Sequence, residues 1–136
     1  MERIEFWRDK AKETIDPELF SKKAEELAKE LAGDHEQSKG KKANKRTQLR
    51  KFYDEVLRLD SEARAAGKEQ WKRILPLVHM LTAKAAYARG RDLVSDTFLS
   101  FIKDSVSQVQ DQKDLMVFAN FFEALMGFYI RHSPSN

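Results

Sequence analysis

The segment DQKDLMVFANFFEALMGFYI, residues 111–130, has the spacing of a helix that is apolar on almost every side. Its inner stripe is made of Leu115, Phe118, Phe122, Leu125 and Tyr129, and it is flanked by Val117, Phe121, Met126, Phe128 and Ile130. A helix that is hydrophobic all round is buried, so we expect it to be the central helix of a bundle. Part of the apolar surplus, the apolar residues beyond the inner stripe, could instead form a surface that docks on a partner. We expect Asn120 and Glu123 to mark the solvent-exposed edge of this helix and Pro134 to end the helix.

Composition narrows the class of protein. The chain has 136 residues, few glycines (5) and prolines (3), and no cysteine. Scarce turn residues argue against an all-β fold, and the absence of cysteine excludes disulfides and zinc-thiolate sites. The N-terminus lacks the apolar core of a signal peptide, and no apolar run approaches the length of about 20 residues that spans a bilayer. We expect a single domain, residues 1–136, in the cytoplasm.

Helical patterns precede the central segment. Residues 2–14 place Ile4, Trp7 and Ala11 at the spacing of a short amphipathic helix or a terminal arm. Asp16 and Pro17 form a good helix start, and we expect the helix that follows to end at Gly33. Its apolar stripe is Phe20, Ala24, Leu27 and Leu31.

Three more helices follow before the central segment. In residues 44–66 the predicted core face is Leu49, Phe52, Val56, Leu59 and Ala63, with Gly67 after it. Residues 69–89 hold few charges in their middle, so we expect that helix to be buried on most sides. Ser95 is a predicted N-cap, and the stripe after it is Phe98, Ile102, Val106 and Val109. The sequence therefore predicts an all-α fold, a compact bundle of about five helices.

One stretch of the sequence carries positive charges only. Residues 38–51, SKGKKANKRTQLRK, carry seven Lys and Arg residues and no Asp or Glu, although the whole chain has a net charge of only +3. We expect residues 34–46 to form a flexible basic loop, of which residues 34–43 bury nothing. The charge then continues on the solvent face of the next helix, which carries Thr47, Arg50, Lys51, Asp54 and Arg58. A dense basic run suits a phosphate backbone, although a merely solvated loop is the alternative.

A second basic group closes the helix of residues 69–89. Its end, AKAAYARGR, presents Lys84, Tyr87, Arg89 and Arg91 around Gly90. Compensation of the helix dipole is the alternative explanation for these charges. Because Lys and Arg neutralise phosphates whatever the base sequence, both basic groups enter the candidate RNA-binding set. That set is Lys41, Lys42, Lys45, Arg46, Thr47, Gln48, Arg50, Lys51, Arg58, Lys84, Tyr87, Arg89 and Arg91.

Catalytic motifs are absent from the sequence. His35, His79 and His132 lie far from one another along the chain and have no carboxylate at ligand spacing. We expect His79 to be a core residue on a buried helix. No glycine-rich phosphate loop is present, and the acids are spread over solvent faces at spacings that pair them with Lys. We expect no metal, no cofactor and no enzymatic activity.

Four short patterns together resemble a known family. They are TQLRKFY at residues 47–53, L-x-x-K-x-A-Y-A-x-G-R at 81–91, F-x-x-F-I at 98–102, and F-x-x-F-F-E-A-L at 118–125. In this order and spacing they resemble the small subunit of type III-A CRISPR effectors, the Csm complex. The resemblance covers roughly residues 44–130, which we take as the family-like core.

The resemblance implies a function in antiviral defence. It implies a compact, non-catalytic helical subunit that stacks in several copies along the guide RNA and its target RNA. The implied neighbours are the repeated backbone subunit, to which RNA cleavage belongs, and the large subunit. It also implies that Thr47, Gln48, Arg50 and Lys51, with residues 84–91, face the RNA.

Two other classes of function stay open. A stand-alone helical nucleic-acid-binding protein would carry the same basic stripe but would bind tightly by itself. A purely structural bundle that docks on protein would bind no RNA and would tolerate loss of the stripe. RNA binding by the isolated chain and co-purification with a guide RNA separate these possibilities.

Overall fold

A computed structural model describes residues 3–133 of the chain. The described part is helical throughout its core and contains no β-strand; Asp9 and Thr14 form one isolated antiparallel bridge. The five α-helices are α1 (Ala24–Gln37), α2 (Arg46–Ala65), α3 (Lys68–Gly90), α4 (Asp96–Gln108) and α5 (Gln112–His132). A π-helical turn, Leu19–Lys23, leads into α1, and a 3-10 turn, Lys39–Lys41, follows it. The predicted all-α fold is confirmed.

Helix α5 is the central helix, as its apolar pattern predicted. It packs against α1 and α2, and all five residues of its inner stripe are fully buried. Its rings contact one another and a ring of α4: the ring centroids of Phe118 and Phe122, both on α5, are 6.0 Å apart, and those of Phe122 and Phe101 on α4 are 5.3 Å apart. Asn120 and Glu123 are exposed, as predicted. Pro134, expected to end this helix, lies outside the described residues.

The core faces of α2 and α4 were also predicted correctly. Leu49, Phe52, Val56, Leu59 and Ala63 are buried along α2, and Phe98, Ile102, Val106 and Val109 are buried on and just after α4. The Ser95 side chain accepts a hydrogen bond from the Phe98 amide at 3.4 Å, so it is the N-cap of α4. Apolar residues spaced at three and four positions were sufficient to identify both faces.

The expected end of the first long helix was wrong. Helix α1 continues through Gly33 to Gln37. Its buried stripe extends beyond Leu31 to Ala32 and His35, and His35 Nδ1 lies 2.8 Å from the Ala43 carbonyl, so the last turn of α1 contacts the basic loop. The expectation that residues 34–43 bury nothing was also wrong, because His35 and Ala43 are both buried.

Helix α3 departs most from its prediction. We expected it to be buried on most sides, but only Ile74, Val78, Leu81, Ala85 and Ala88 are buried. It packs mainly against α2 and α4, so its outer side faces solvent. Leu77 is 43% exposed and Met80 is 49% exposed. His79 is exposed as well, and its predicted place in the core was wrong.

Residues 3–14 form an arm rather than a helix. Ile4 and Phe6 are buried, whereas Ala11 is exposed, so the helical spacing through Ala11 was misleading. The arm is fixed by buried Asp114, which accepts hydrogen bonds from Trp7 Nε1 at 2.8 Å and Lys10 Nζ at 2.9 Å. The pKa of Lys10 is raised, chiefly through its contact with Asp114. Asp114 also forms a capping box with Asp111, which is the N-cap of α5.

None of the helices in residues 3–133 could cross a bilayer, because none combines the necessary length with a sufficiently apolar sequence.

Candidate nucleic-acid interface

Asn44 determines how the basic loop enters α2. Its backbone has φ +60°, a left-handed conformation that Asn tolerates better than most residues. Its side chain is completely buried: Nδ2 donates to the Leu31 carbonyl at 3.2 Å and to Ser95 Oγ at 2.9 Å, and Oδ1 accepts from the Ser95 amide at 2.9 Å. Its carbonyl accepts a hydrogen bond from the Tyr129 hydroxyl. Asn44 thus connects α1, α5 and the start of α4, and α2 begins only at Arg46.

The anchored loop and the first turns of α2 form one side of a shallow groove, which has two sections. The first section has a volume of about 520 Å³ and ends at Leu93, in the turn between α3 and α4. Its polar lining is Lys39, Lys42, Lys45, Thr47, Gln48 and Lys51. Among the described residues no carboxylate lines this section, so every charged side chain in its lining is a cation.

A second section continues between α2 and α3. It has a volume of about 410 Å³ and shares Gln48, Lys51 and Leu93 with the first. The α3 side contributes Lys84, Tyr87 and Arg91, which lie on one face because helical residues three and four apart are neighbours. We call the two sections together the basic groove. The structure therefore brings the loop of residues 39–45 and the end of α3 to one surface, although they are remote in sequence.

Within the described part of the chain, the basic groove holds one acidic residue. Glu55 lines the second section, but its carboxylate is already bonded to Arg58 on the following turn of α2. Six cationic side chains line the groove, namely Lys39, Lys42, Lys45, Lys51, Lys84 and Arg91. A continuous array of this kind is suited to successive phosphates of a polyanion.

Two of the predicted site residues lie elsewhere on α2. Arg46 donates through Nε to the Ser133 carbonyl at 2.7 Å and through Nη2 to the Ile130 carbonyl at 3.0 Å, so it caps the end of α5. Arg50 is exposed but lines neither section of the groove. Arg50 precedes Lys51 directly, and successive side chains of a helix are rotated by about 100° around its axis. Arg50 is therefore directed away from α3, whereas Lys51 lines the groove.

Three other predicted residues are engaged in ion pairs. Arg89 donates to Asp96 Oδ1 at 2.6 Å and to Asp92 Oδ1 at 3.0 Å, and the contact with Asp96 raises the pKa of its guanidinium. Arg58 binds Glu55 and Glu62, and its hydrogen bond to Glu55 raises its pKa in the same way.

The third is Lys41, which lies 3.2 Å from Glu36 Oε2. Each of these cations forms an ion pair with a carboxylate, whereas in the described part of the chain the lysines that line the first section of the groove form none. Their charge is therefore compensated within the protein.

A cavity larger than either section also lies beside the basic loop. It measures about 670 Å³, and its lining mixes Lys39, Lys42 and Arg89 with three carboxylates, Asp34, Asp92 and Asp96. Carboxylates repel phosphates, so this cavity suits a polyanion less well than the basic groove does. The sign of the lining charge, rather than the volume, therefore identifies the candidate surface.

The titratable residues offer no metal centre in the described part of the chain. No group of three or more His, Asp or Glu residues there is arranged to hold a metal ion. His132 Nε2 lies 3.0 Å from Glu25 Oε2, and this hydrogen bond lowers the pKa of Glu25. His132 therefore has a carboxylate partner in space that sequence spacing did not reveal. The pair joins α5 to α1.

Sequence reasoning missed two groove residues. Lys39 belongs to the basic run but is not in the candidate set, and its charge was the available signal. Leu93 carries no functional signal in the sequence, yet it lies where the two sections join. Its backbone explains the position, because its carbonyl accepts a hydrogen bond from the Asn44 amide at 2.9 Å.

Comparison with known proteins gives a match to a family model. The family model described as Csm2 Type III-A matches residues 14–135 of the chain, which is nearly its whole length. No curated protein and no solved structure matches it. The match extends well beyond residues 44–130, where the sequence patterns occur.

Proposed function

Because the chain belongs to the Csm2 Type III-A family, the small subunit of the type III-A CRISPR Csm complex, we propose that it binds RNA backbone within that complex. In this proposal it is a non-catalytic subunit that lies along the guide RNA and its target RNA. The backbone subunit and the large subunit are its protein neighbours, and antiviral defence in the cytoplasm is the setting.

The observation that carries the proposal is the continuity of the basic groove. Cations from the loop, from α2 and from α3 line one surface, although the chain outside residues 38–51 is net negative. Contacts from Lys and Arg to phosphate fix the position of a nucleic acid without reading its bases. A subunit that accompanies many different guide sequences needs that kind of contact.

Stacking of several copies requires contact surface as well. Most of the apolar surplus of α5 is used inside the bundle: Val117, Phe121 and Met126 are buried, and only Ile130 of the described flanking residues is largely exposed. We therefore propose the outer side of α3, with Leu77 and Met80 exposed, as the surface for contact between copies. It adjoins the α3 side of the basic groove, so RNA and a neighbouring copy would lie close together.

The RNA path is tested by a pair of adjacent residues. Lys51→Ala should weaken binding of single-stranded RNA by a similar factor for unrelated sequences, because a phosphate contact carries no base information. The slope of log affinity against log salt should fall by roughly 0.7 for each phosphate that the variant no longer neutralises. Arg50→Ala is the matched control, since Arg50 is exposed on the same helix but lies outside the groove. Fluorescence anisotropy across a salt series measures both quantities.

Equal losses of affinity from the two substitutions would contradict this path, as would unchanged affinity and slope in Lys51→Ala. Lys84→Ala then provides an independent test from the α3 side. Co-purification of the chain with a guide RNA and other subunits distinguishes a complex subunit from a stand-alone RNA-binding protein. A chain that purifies alone and binds RNA tightly would support the stand-alone class.

A further inference from the structure

Tyr87 is exposed to a degree that folding does not explain. It is 67% exposed, more than any other large hydrophobic residue in the described part of the chain. It lies on α3 between Lys84 and Arg91, on the wall of the basic groove. A tyrosine contributes to stability by burying its ring, and this ring is largely unburied.

Arg91 orients the ring from one side. Its guanidinium carbon lies 5.7 Å from the ring centroid, within the range of a cation–π contact. Its Nη1 also donates to the Tyr87 hydroxyl at 3.4 Å. The exposure of the ring leaves surface that Arg91 does not cover, so a planar ligand has access to it.

We propose that Tyr87 is a stacking platform for one unpaired RNA base, with Arg91 beside it. This inference rests on the proposed RNA path. It adds that one nucleotide on this path is unpaired when it binds. Lys51 and Lys84 would hold the phosphates, and the base of a nucleotide between them would lie on the ring. Aromatic rings and guanidinium planes are the groups on which proteins stack unpaired RNA bases.

Stacking on Tyr87 requires a base that is not enclosed in a helix. In the interior of a duplex both faces of each base are covered by neighbouring pairs, so only an unpaired or displaced nucleotide there can present a face to the ring. Any of the four bases can do so, because each has a π-face. The platform would therefore select unpaired nucleotides without selecting sequence.

The experiment uses the full chain and a short single-stranded RNA with one internal 2-aminopurine, whose fluorescence falls when it stacks. Wild type should quench the probe on binding. Tyr87→Leu should lower affinity about 5- to 150-fold, the range expected for loss of one base–aromatic stack, and should abolish the quench. Tyr87→Phe should retain both. A blunt RNA duplex should bind wild type and Tyr87→Leu equally.

Controls separate this inference from the proposed path. Leu57→Ala, at an exposed apolar position on α2 outside the groove, should leave the quench unchanged, and thermal melting should show that each variant folds. If Lys51→Ala weakens binding while Tyr87→Leu keeps wild-type affinity and quench, the path stands and the platform is refuted. If wild type binds no RNA, both are refuted. Equal loss of duplex and single-strand binding in Tyr87→Leu would also refute a platform for unpaired bases.

Discussion

Helices α3 and α5 are the two longest in the described part of the protein, and both have apolar middles. Helix α5 lies between α1 and α2 and buries residues on nearly every side, whereas α3 packs against α2 and α4 and leaves Leu77 and Met80 in solvent. Two helices with similar sequence patterns thus lie in different parts of the fold, one at the centre of the bundle and one at its solvent-exposed side. An apolar helix requires burial, but its sequence does not say whether a neighbouring helix or a partner protein supplies it.

The largest expected effect comes from truncating the central helix. Phe122 is fully buried, and its ring centroid lies 5.3 Å from that of Phe101 and 5.5 Å from that of Tyr53. Phe122→Ala should reduce the free energy of unfolding by about 3–5 kcal/mol. Met80→Ala on α3 should change it by less than about 0.5 kcal/mol, as surface substitutions usually do. Chemical denaturation of both variants measures the contrast, and a comparable loss of stability in Met80→Ala would mean that α3 is covered even in the isolated chain.

An intermediate effect is expected at the entry to α2, where a buried residue and an exposed residue are adjacent. Asn44→Ala removes side-chain hydrogen bonds to Leu31 and Ser95 and places alanine at a positive φ. Because buried polar partners are left unsatisfied, the free energy of unfolding should fall by roughly 2–4 kcal/mol. Denaturant titration of the variant against wild type measures this difference.

Lys45→Ala is the control for this position, since Lys45 is exposed. It should leave the stability to denaturant nearly unchanged. Asn44→Gly keeps the left-handed conformation available, so its difference from Asn44→Ala isolates the backbone contribution. If Asn44→Ala is as stable as wild type, Asn44 does not anchor the basic loop.

The smallest effect concerns acid pH and the pair Glu25–His132. The hydrogen bond from His132 lowers the pKa of Glu25 below its ordinary value of 4.5. A carboxyl whose pKa is lower in the folded state stabilises the protein above its unfolded pKa, and this contribution is lost as the pH falls through the folded pKa. Thermal melting between about pH 5 and pH 3 should therefore show a slightly steeper fall in the melting temperature of wild type than of Glu25→Gln.

The matching pair on α3 provides the control. Glu69 and Lys72 are 3.7 Å apart on the open helix, where both side chains are mostly exposed. Solvent screens such pairs, so Glu69→Gln should follow the wild-type acid profile. Identical profiles for Glu25→Gln and wild type would show that the link between α1 and α5 contributes no pH dependence.

The sequence by itself determined the helical class, the core faces of α2, α4 and α5, and the N-cap at Ser95. These features depend on local spacing, because residues three and four apart share a helix face wherever the helix lies. It also located the charges that form the basic groove. The patterns in residues 44–130 were enough to indicate the family, and the family model matches residues 14–135.

Only the tertiary structure decided which cations are available to a ligand. Arg46 and Lys51 have the same charge and lie on the same helix, yet Arg46 caps α5 and Lys51 lines the groove. Asn44 has the sequence position of a simple helix start, whereas its partners lie on other helices. Charge is a property of a residue, but compensation of that charge depends on contacts between segments remote in sequence. Those contacts are set by how the helices pack around α5, which no local pattern specifies.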